Sequence, residues 1–390
     1  MPRAQRRAYS LYPRAVRDRP NAIAHLWYGW VVSETGPDGV LQTVPARFDN
    51  SNCSCFSIMA TTSPTTPTRT APRSAAYAKL KRFATIFVLI VMVLDIVMSV
   101  IFYRHPVWSI DQVMDARLRL AGFHSEYVRV GPYRVHYFVG GHGTPLLLIH
   151  GLGARSEDWT PEMPAYAKNG FRVYAIDLLG CGRTDRPDIA YTITEQVELV
   201  DGFLNAVHVD KADVMGWSMG GWVALQFALQ HPQRVNRLVA MDSAGLKFKT
   251  DLSPDILEPT TVSQLRHLES VLMAHHYYIP GFIQRDLLRT MQSHRWVVDR
   301  TLQSLLREEG DFAGQLGQLH MPVLLVWGQQ DALLPPSVGR QMHGAIPQSV
   351  LELYSGCGHM GPATCADRMV PRVIDFLRSQ PPLAGGDFHY

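Results

Sequence analysis

Apolar positions along this chain follow three different patterns. Between Phe83 and Tyr103 almost every residue is apolar. Further on, short apolar runs recur at 146–149, 173–176, 212–215, 238–241, 323–327 and 350–354. Amphipathic stretches of helical period separate them, which predicts a mostly parallel sheet covered by helices on both faces. Ahead of these runs, 127–130 and 133–139 alternate around Gly131-Pro132, the pattern of two strands joined by a turn. Residues 246–312 break the rhythm: they are strand-poor, with helical periodicity over 262–276 and 282–307, and read as a cap over the C-terminal edge of the sheet.

The remaining segments follow by composition. Residues 1–58 carry no periodicity and read as a disordered or mis-assigned extension; Met59, which opens a Thr/Pro-rich stretch, is an alternative start. Residues 59–82 form a polar, basic segment, 83–103 a membrane anchor and 104–122 an amphipathic connector. The folded part divides into core 123–245, cap 246–312 and core 313–380, with 381–390 expected as a flexible tail.

At ~1.5 Å per residue, a helix over 83–103 crosses a hydrocarbon layer of about 30 Å. Arg69, Arg73, Lys79, Lys81 and Arg82 precede it, so the N-terminal side is expected in the cytoplasm and the bulk of the chain outside, in a periplasm or beyond. A cleavable signal peptide is the rival, with a longer apolar region than usual and no clear Ala-x-Ala site. Asp95 sits mid-span at a cost of ~2.5–3.5 kcal/mol, which its Val, Ile, Leu and Met neighbours offset.

Composition narrows the chemistry. The net charge is +3 across 390 residues, without a Lys/Arg block in the folded part, so a nucleic-acid partner is not expected. The 16 histidines show no metal-ligand spacing, and neither a metal nor a cofactor is expected. Of five cysteines, Cys357 and Cys365 are near enough to pair in an oxidising compartment; two free thiols are the alternative.

The sharpest chemical signal is Gly216-Trp217-Ser218-Met219-Gly220, set between an apolar strand and a helical run. A serine on a sharp strand-to-helix turn exposes its hydroxyl, and the flanking glycines leave room for the helix and strand to close on each other. Three more motifs are placed around it: His150-Gly151-Leu152-Gly153 after an apolar run, Trp327-Gly328-Gln329-Gln330-Asp331 at the end of another, and Gly356-Cys357-Gly358-His359-Met360 after the last.

On these motifs, residues 123–380 resemble the lipase and carboxylesterase branch of the α/β-hydrolase superfamily, near its monoacylglycerol-lipase-like members. The resemblance implies that fold: a mostly parallel eight-stranded sheet with helices on both faces and a helical cap, here preceded by one transmembrane helix. It implies Ser218 as nucleophile, His359 as base and Asp331 as the acid that orients it, in the family's Ser, acid, His order. Asp242, at the end of another strand, is the alternative acid.

The backbone N–H groups of Leu152 and Met219 map to the oxyanion hole, and Gly151, Trp217 and Met360 to substrate contacts. Asp177, in the loop Asp177-Leu178-Leu179-Gly180-Cys181, maps to a turn-shaping residue, with Cys181 a packed neutral thiol. His150 maps to a packed position, whereas His275, His276 and His294 lie in the cap within reach of substrate. The expected reaction is hydrolysis of a lipophilic carboxylic ester through an acyl-enzyme. The alternatives are carbon–carbon, amide or perhydrolase chemistry on the same fold, a catalytically silent tethered binding protein, and a scaffolding role for the anchor.

Overall fold

A computed structural model of the chain describes residues 73–308, 312–380, 383 and 385–390. The 1–58 extension, the Met59 start and most of the 59–82 segment lie outside these residues. The described residues fall into two units, divided between Leu94 and Asp95.

Helix α1, Arg73–Arg104, contains neither glycine nor proline. Over Tyr77–Arg104 it spans 28 residues, and its most apolar window has a mean hydropathy of 2.8, enough in length and composition to cross a membrane. Leu80, Phe83, Phe87, Leu89 and Leu94 on it are all exposed.

The second unit then continues through α2 (Pro106–Leu120), β1 (His124–Val130), β2 (Tyr133–Gly141), β3 (Thr144–Ile149), α3 (Met163–Lys168), β4 (Phe171–Ile176), α4 (Ile193–Ala206) and β5 (Ala212–Trp217). After these come α5 (Met219–Gln230), β6 (Val235–Met241), α6 (Val262–Leu272), α7 (Gly281–Ser293), α8 (Arg295–Glu308), β7 (Val323–Gly328) and α9 (Pro336–Ala345). The last elements are β8 (Val350–Tyr354), α10 (Gly361–Thr364), α11 (Ala366–Arg378) and β9 (Asp387–His389).

The strands form one sheet in the order β1-β2-β4-β3-β5-β6-β7-β8-β9. Antiparallel pairing is confined to β1–β2 and β2–β4, and the other pairs are parallel. The unbroken apolar runs follow from burial on both faces. Successive side chains on a strand point to opposite sides. On β3, Leu147 and Ile149 enter a core shared with α4, α5 and α9, while Leu146 and Leu148 enter the opposite core with α3 and α11. Neither face of β3 can therefore be polar.

Three differences from the sequence expectation have physical causes. The sheet has nine strands, not eight, because Asp387–His389 pairs with the edge of β8. Residues 387–390 are thus no flexible tail: Tyr390 stacks on Tyr354 with centroids 5.3 Å apart, and Arg340 bonds Asp387 at 2.6 Å. Three polar-flanked residues are too few to show a period. The connector, too, is a full helix: the Val107 N–H at the start of α2 donates to Asp286 of α7 at 3.0 Å. The cap is built by α6, α7 and α8, inserted between β6 and β7.

Candidate active site

Ser218, Asp331 and His359 stand beyond the ends of β5, β7 and β8. Ser218 stands between β5 and α5 with φ 57° and ψ −122°. That is a strained backbone for a residue with a Cβ, and it persists only when its surroundings enforce it. Here the Ser218 N–H donates to the Met241 carbonyl at 2.9 Å, and its own carbonyl accepts the Ala244 N–H at 3.1 Å. The flanking glycines are obligatory. A Cβ at Gly216 would lie 2.0 Å from the Gly220 carbonyl, and one at Gly220 would lie 2.2 Å from that of Ile149.

Asp331 and His359 arrive from β7 and β8. After the turn at Gly328, Asp331 accepts the Leu333 and Leu334 N–H groups on Oδ1 at 2.9 and 2.8 Å. Its Oδ2 lies 2.8 Å from His359 Nδ1, and His359 Nε2 lies 2.9 Å from Ser218 Oγ. An ionised carboxylate can only accept, so the proton belongs on Nδ1 and Nε2 is left to accept the serine hydroxyl. Both His359 and Asp331 are 3 % exposed.

The His359 loop is tied on three sides. A disulfide joins Cys357 to Cys365, so the pair left open by sequence is bonded. The Met360 N–H donates to the carbonyl of Leu272, the last residue of α6, at 3.0 Å, which links the loop to the cap. The Trp217 indole N–H donates to the His359 carbonyl at 2.9 Å. Trp217 was expected against substrate; its side chain is instead buried in the core facing α3 and α11 and anchors the loop. An indole beside a nucleophile elbow carries no sequence mark of which way it turns.

Gly151 packs against the serine: a Cβ there would lie 3.0 Å from Ser218 Cβ and 3.5 Å from Oγ. Among the described residues, no backbone acceptor takes the Leu152 or the Met219 N–H. His150 shapes their loop. Its Nε2 accepts the Leu178 N–H at 3.1 Å and its Nδ1 faces the Gly151 carbonyl at 2.8 Å. Burial lowers its proton affinity, which keeps the ring neutral in this role.

Asp177 gathers the Ser156 and Arg183 N–H groups and His136 Nδ1, at 2.7, 2.9 and 2.7 Å. Burial alone would push its carboxyl up, but His136, His150 and the Arg183 N–H hold it at about 2. Cys181 is pushed up to about 12, chiefly by burial, and carries no thiolate.

Asp242 does not reach His359. Its Oδ1 accepts the Gly328 N–H at 2.8 Å, so the partner of the imidazole is Asp331. Among the described residues, no hydrogen bond joins the cap histidines to Ser218, Asp331 or His359. His275 and His276 line a cap cavity of about 430 Å³ together with Arg266, Met273, Tyr278 and Ile279, whereas His294 Nδ1 lies 2.9 Å from Ser293 Oγ.

A sequence model described as alpha/beta hydrolase fold matches residues 144–364. The chain is 30 % identical over 261 residues to a 2-hydroxy-6-oxo-6-(2'-aminophenyl)hexa-2,4-dienoic acid hydrolase of Metapseudomonas resinovorans, covering 64 % of this chain and 90 % of that one. Among solved structures, a serine hydrolase involved in carbazole degradation superposes with a TM-score of 0.58 at 29 % identity, over 66 % of this chain and 99 % of that one. A bacterial membrane phospholipase A superposes with a TM-score of 0.65 at 24 % identity, over 75 % and 98 %, a likeness of fold.

Proposed function

The chain belongs to the α/β-hydrolase fold family, and from that premise we propose that it is a serine hydrolase of lipophilic carboxylic esters, of the monoacylglycerol type. The observation that carries the chemistry is the continuous relay from Asp331 through His359 to Ser218, at 2.8 and 2.9 Å. Ser218 Oγ attacks the ester carbonyl while His359 Nε2 takes its proton. The oxyanion forms against the Leu152 and Met219 N–H groups; losing one such donor costs ~2.7–4 kcal/mol of barrier. His359 then protonates the departing alcohol, and a water activated by the same nitrogen releases the acid. Gly151 and Met360 border the acyl group.

The lipophilic substrate is inferred from α1, an apolar helix long enough to cross a membrane. Helix α1 anchors the chain in a bilayer as a single pass, with the basic segment on the cytoplasmic side and the catalytic domain outside, where the Cys357–Cys365 bond persists.

Membrane preparations of the protein should hydrolyse p-nitrophenyl acyl esters and take a fluorophosphonate label. Ser218→Ala should abolish both; full activity in that variant would refute the assignment. Carbon–carbon bond cleavage is a second reading, favoured by the dienoic acid hydrolase relative. Turnover of a 2-hydroxy-6-oxo-dienoate with no turnover of acyl esters would select it.

A further inference from the structure

Asp242 is fully buried at the end of β6, on a backbone with φ 41°. A side chain chosen only to fill space would not need an acid, nor that backbone. Its Oδ1 accepts the Gly328 N–H at 2.8 Å. The carbonyl of the same Gly328 accepts the Asp331 N–H at 3.2 Å, so one residue braces both acids. Asp242 Oδ2, also buried, accepts no hydrogen bond. It faces Gly361, where an added Cβ would lie 3.4 Å away. The one charged group acting on Asp242 among the described residues is Asp331.

We propose that Asp242 is a positioning residue of this site: protonated on Oδ2, it donates a hydrogen bond to the Asp331 carboxylate, holding that carboxylate on His359 and tempering its charge. The inference rests on the triad reading above. Asp242 and Asp331 are braced by the same Gly328 and are both buried, and two such carboxyls cannot both ionise. Asp331 is the one fitted to the charge, because it accepts the Leu333 and Leu334 N–H groups and faces the imidazole. Burial first, and Asp331 second, push the Asp242 carboxyl well above the ordinary carboxylate range. With Oδ1 taken as an acceptor, Oδ2 is the oxygen left to carry the proton. The groups facing His359 itself are Asp331, Ser218 and the Trp217 ring. Asp242 therefore reaches the base only through Asp331.

The sign of the pH effect follows. A donor on Asp331 disperses its negative charge and weakens its hold on the imidazolium. Removing that donor should make His359 easier to protonate. An ionised Asp242 would do the opposite, because its removal would take a negative charge away.

The test is the rate of Ser218 labelling by a fluorophosphonate, from pH 5 to 9, on the full chain in detergent micelles, with a melting curve for each protein. Asp242→Asn keeps an acceptor for Gly328 and a donor for Asp331; its profile should overlay the parent within about threefold. Asp242→Ala should lower the plateau rate by about 10- to 100-fold and move the acid limb up by roughly half a unit to one unit. If Asp242→Ala does not fold, Asp242→Asn decides alone: a folded Asp242→Asn slowed tenfold or more would mean that the charge, not the proton, is needed, and overturns the proposal. So does an Asp242→Ala profile equal to the parent's, or one whose acid limb moves down. A parent protein that fails to label at all refutes the Ser218 reading instead.

Discussion

Asp213 sits in surroundings that oppose its charge. It is fully buried on β5, and neither carboxylate oxygen has a hydrogen-bond partner. Burial pushes its carboxyl from 3.8 to about 7, against the partial relief of Arg237. A folded-state value above the unfolded one means that the fold favours the protonated acid. Stability is therefore intact below about pH 4, falls as pH rises through the window from 4 to 7, and is fully reduced above 7, by at most ~4 kcal/mol. Asp213→Asn should melt higher than the parent at pH 8.5, and the gap should close at pH 4.5. A gap equal at both pH values would show that the charge is not the cause. That Ser218, Asp331 and His359 would meet was legible in sequence because strand, turn and glycine mark each position. The choice between Asp331 and Asp242 was not, since both end a strand and only the spatial reach of the imidazole separates them.

Among the elements, the loop after β8 concentrates the most constraint in the fewest residues. It is bridged by the Cys357–Cys365 bond, held by Trp217 and pinned to α6 through Met360. Gly358 is where the cap presses on it: a Cβ there would lie 2.7 Å from the Ala274 nitrogen and 2.8 Å from the Leu272 carbonyl, both backbone atoms that cannot swing aside. Gly358→Ala should therefore displace the backbone at Leu272–Ala274 or His359. We expect a loss of roughly 1–3 kcal/mol in stability together with slower fluorophosphonate labelling of Ser218, read by melting and by label uptake. Unchanged labelling would show that the loop and cap move independently. Helical periodicity over 262–276 and 282–307 outlined the cap, yet only α6 buries an apolar stripe, Leu265, Leu268 and Val271, whereas α7 buries Gln284 and Asp286, and α8 buries Val297, Thr301 and Ser304. Periodicity gave no hint of the tie between α6 and the histidine loop, which is made by backbone groups that any residue could supply.

For the molecule as a whole, the sheet was readable because two-sided burial writes unbroken apolar runs at β3 to β8. What escaped was its far border, where Asp387–His389 adds a short strand of exposed residues. Behind it all five residues of β8 are buried, and the β8 backbone is paired from Leu351 to Leu353. Ser355, the residue just before the glycine that opens the histidine loop, gives its N–H to the Tyr390 carbonyl at 2.8 Å. Removing residues 385–390 would strip this seam. It would leave a row of unsatisfied main-chain donors and acceptors on an apolar strand, the template by which one copy recruits another edge to edge. Size-exclusion chromatography of the shortened protein should show more self-association than the full chain. The same cut would slacken the anchorage of His359, so that the border strand serves at once as a guard against polymerisation and as a remote clamp on the base.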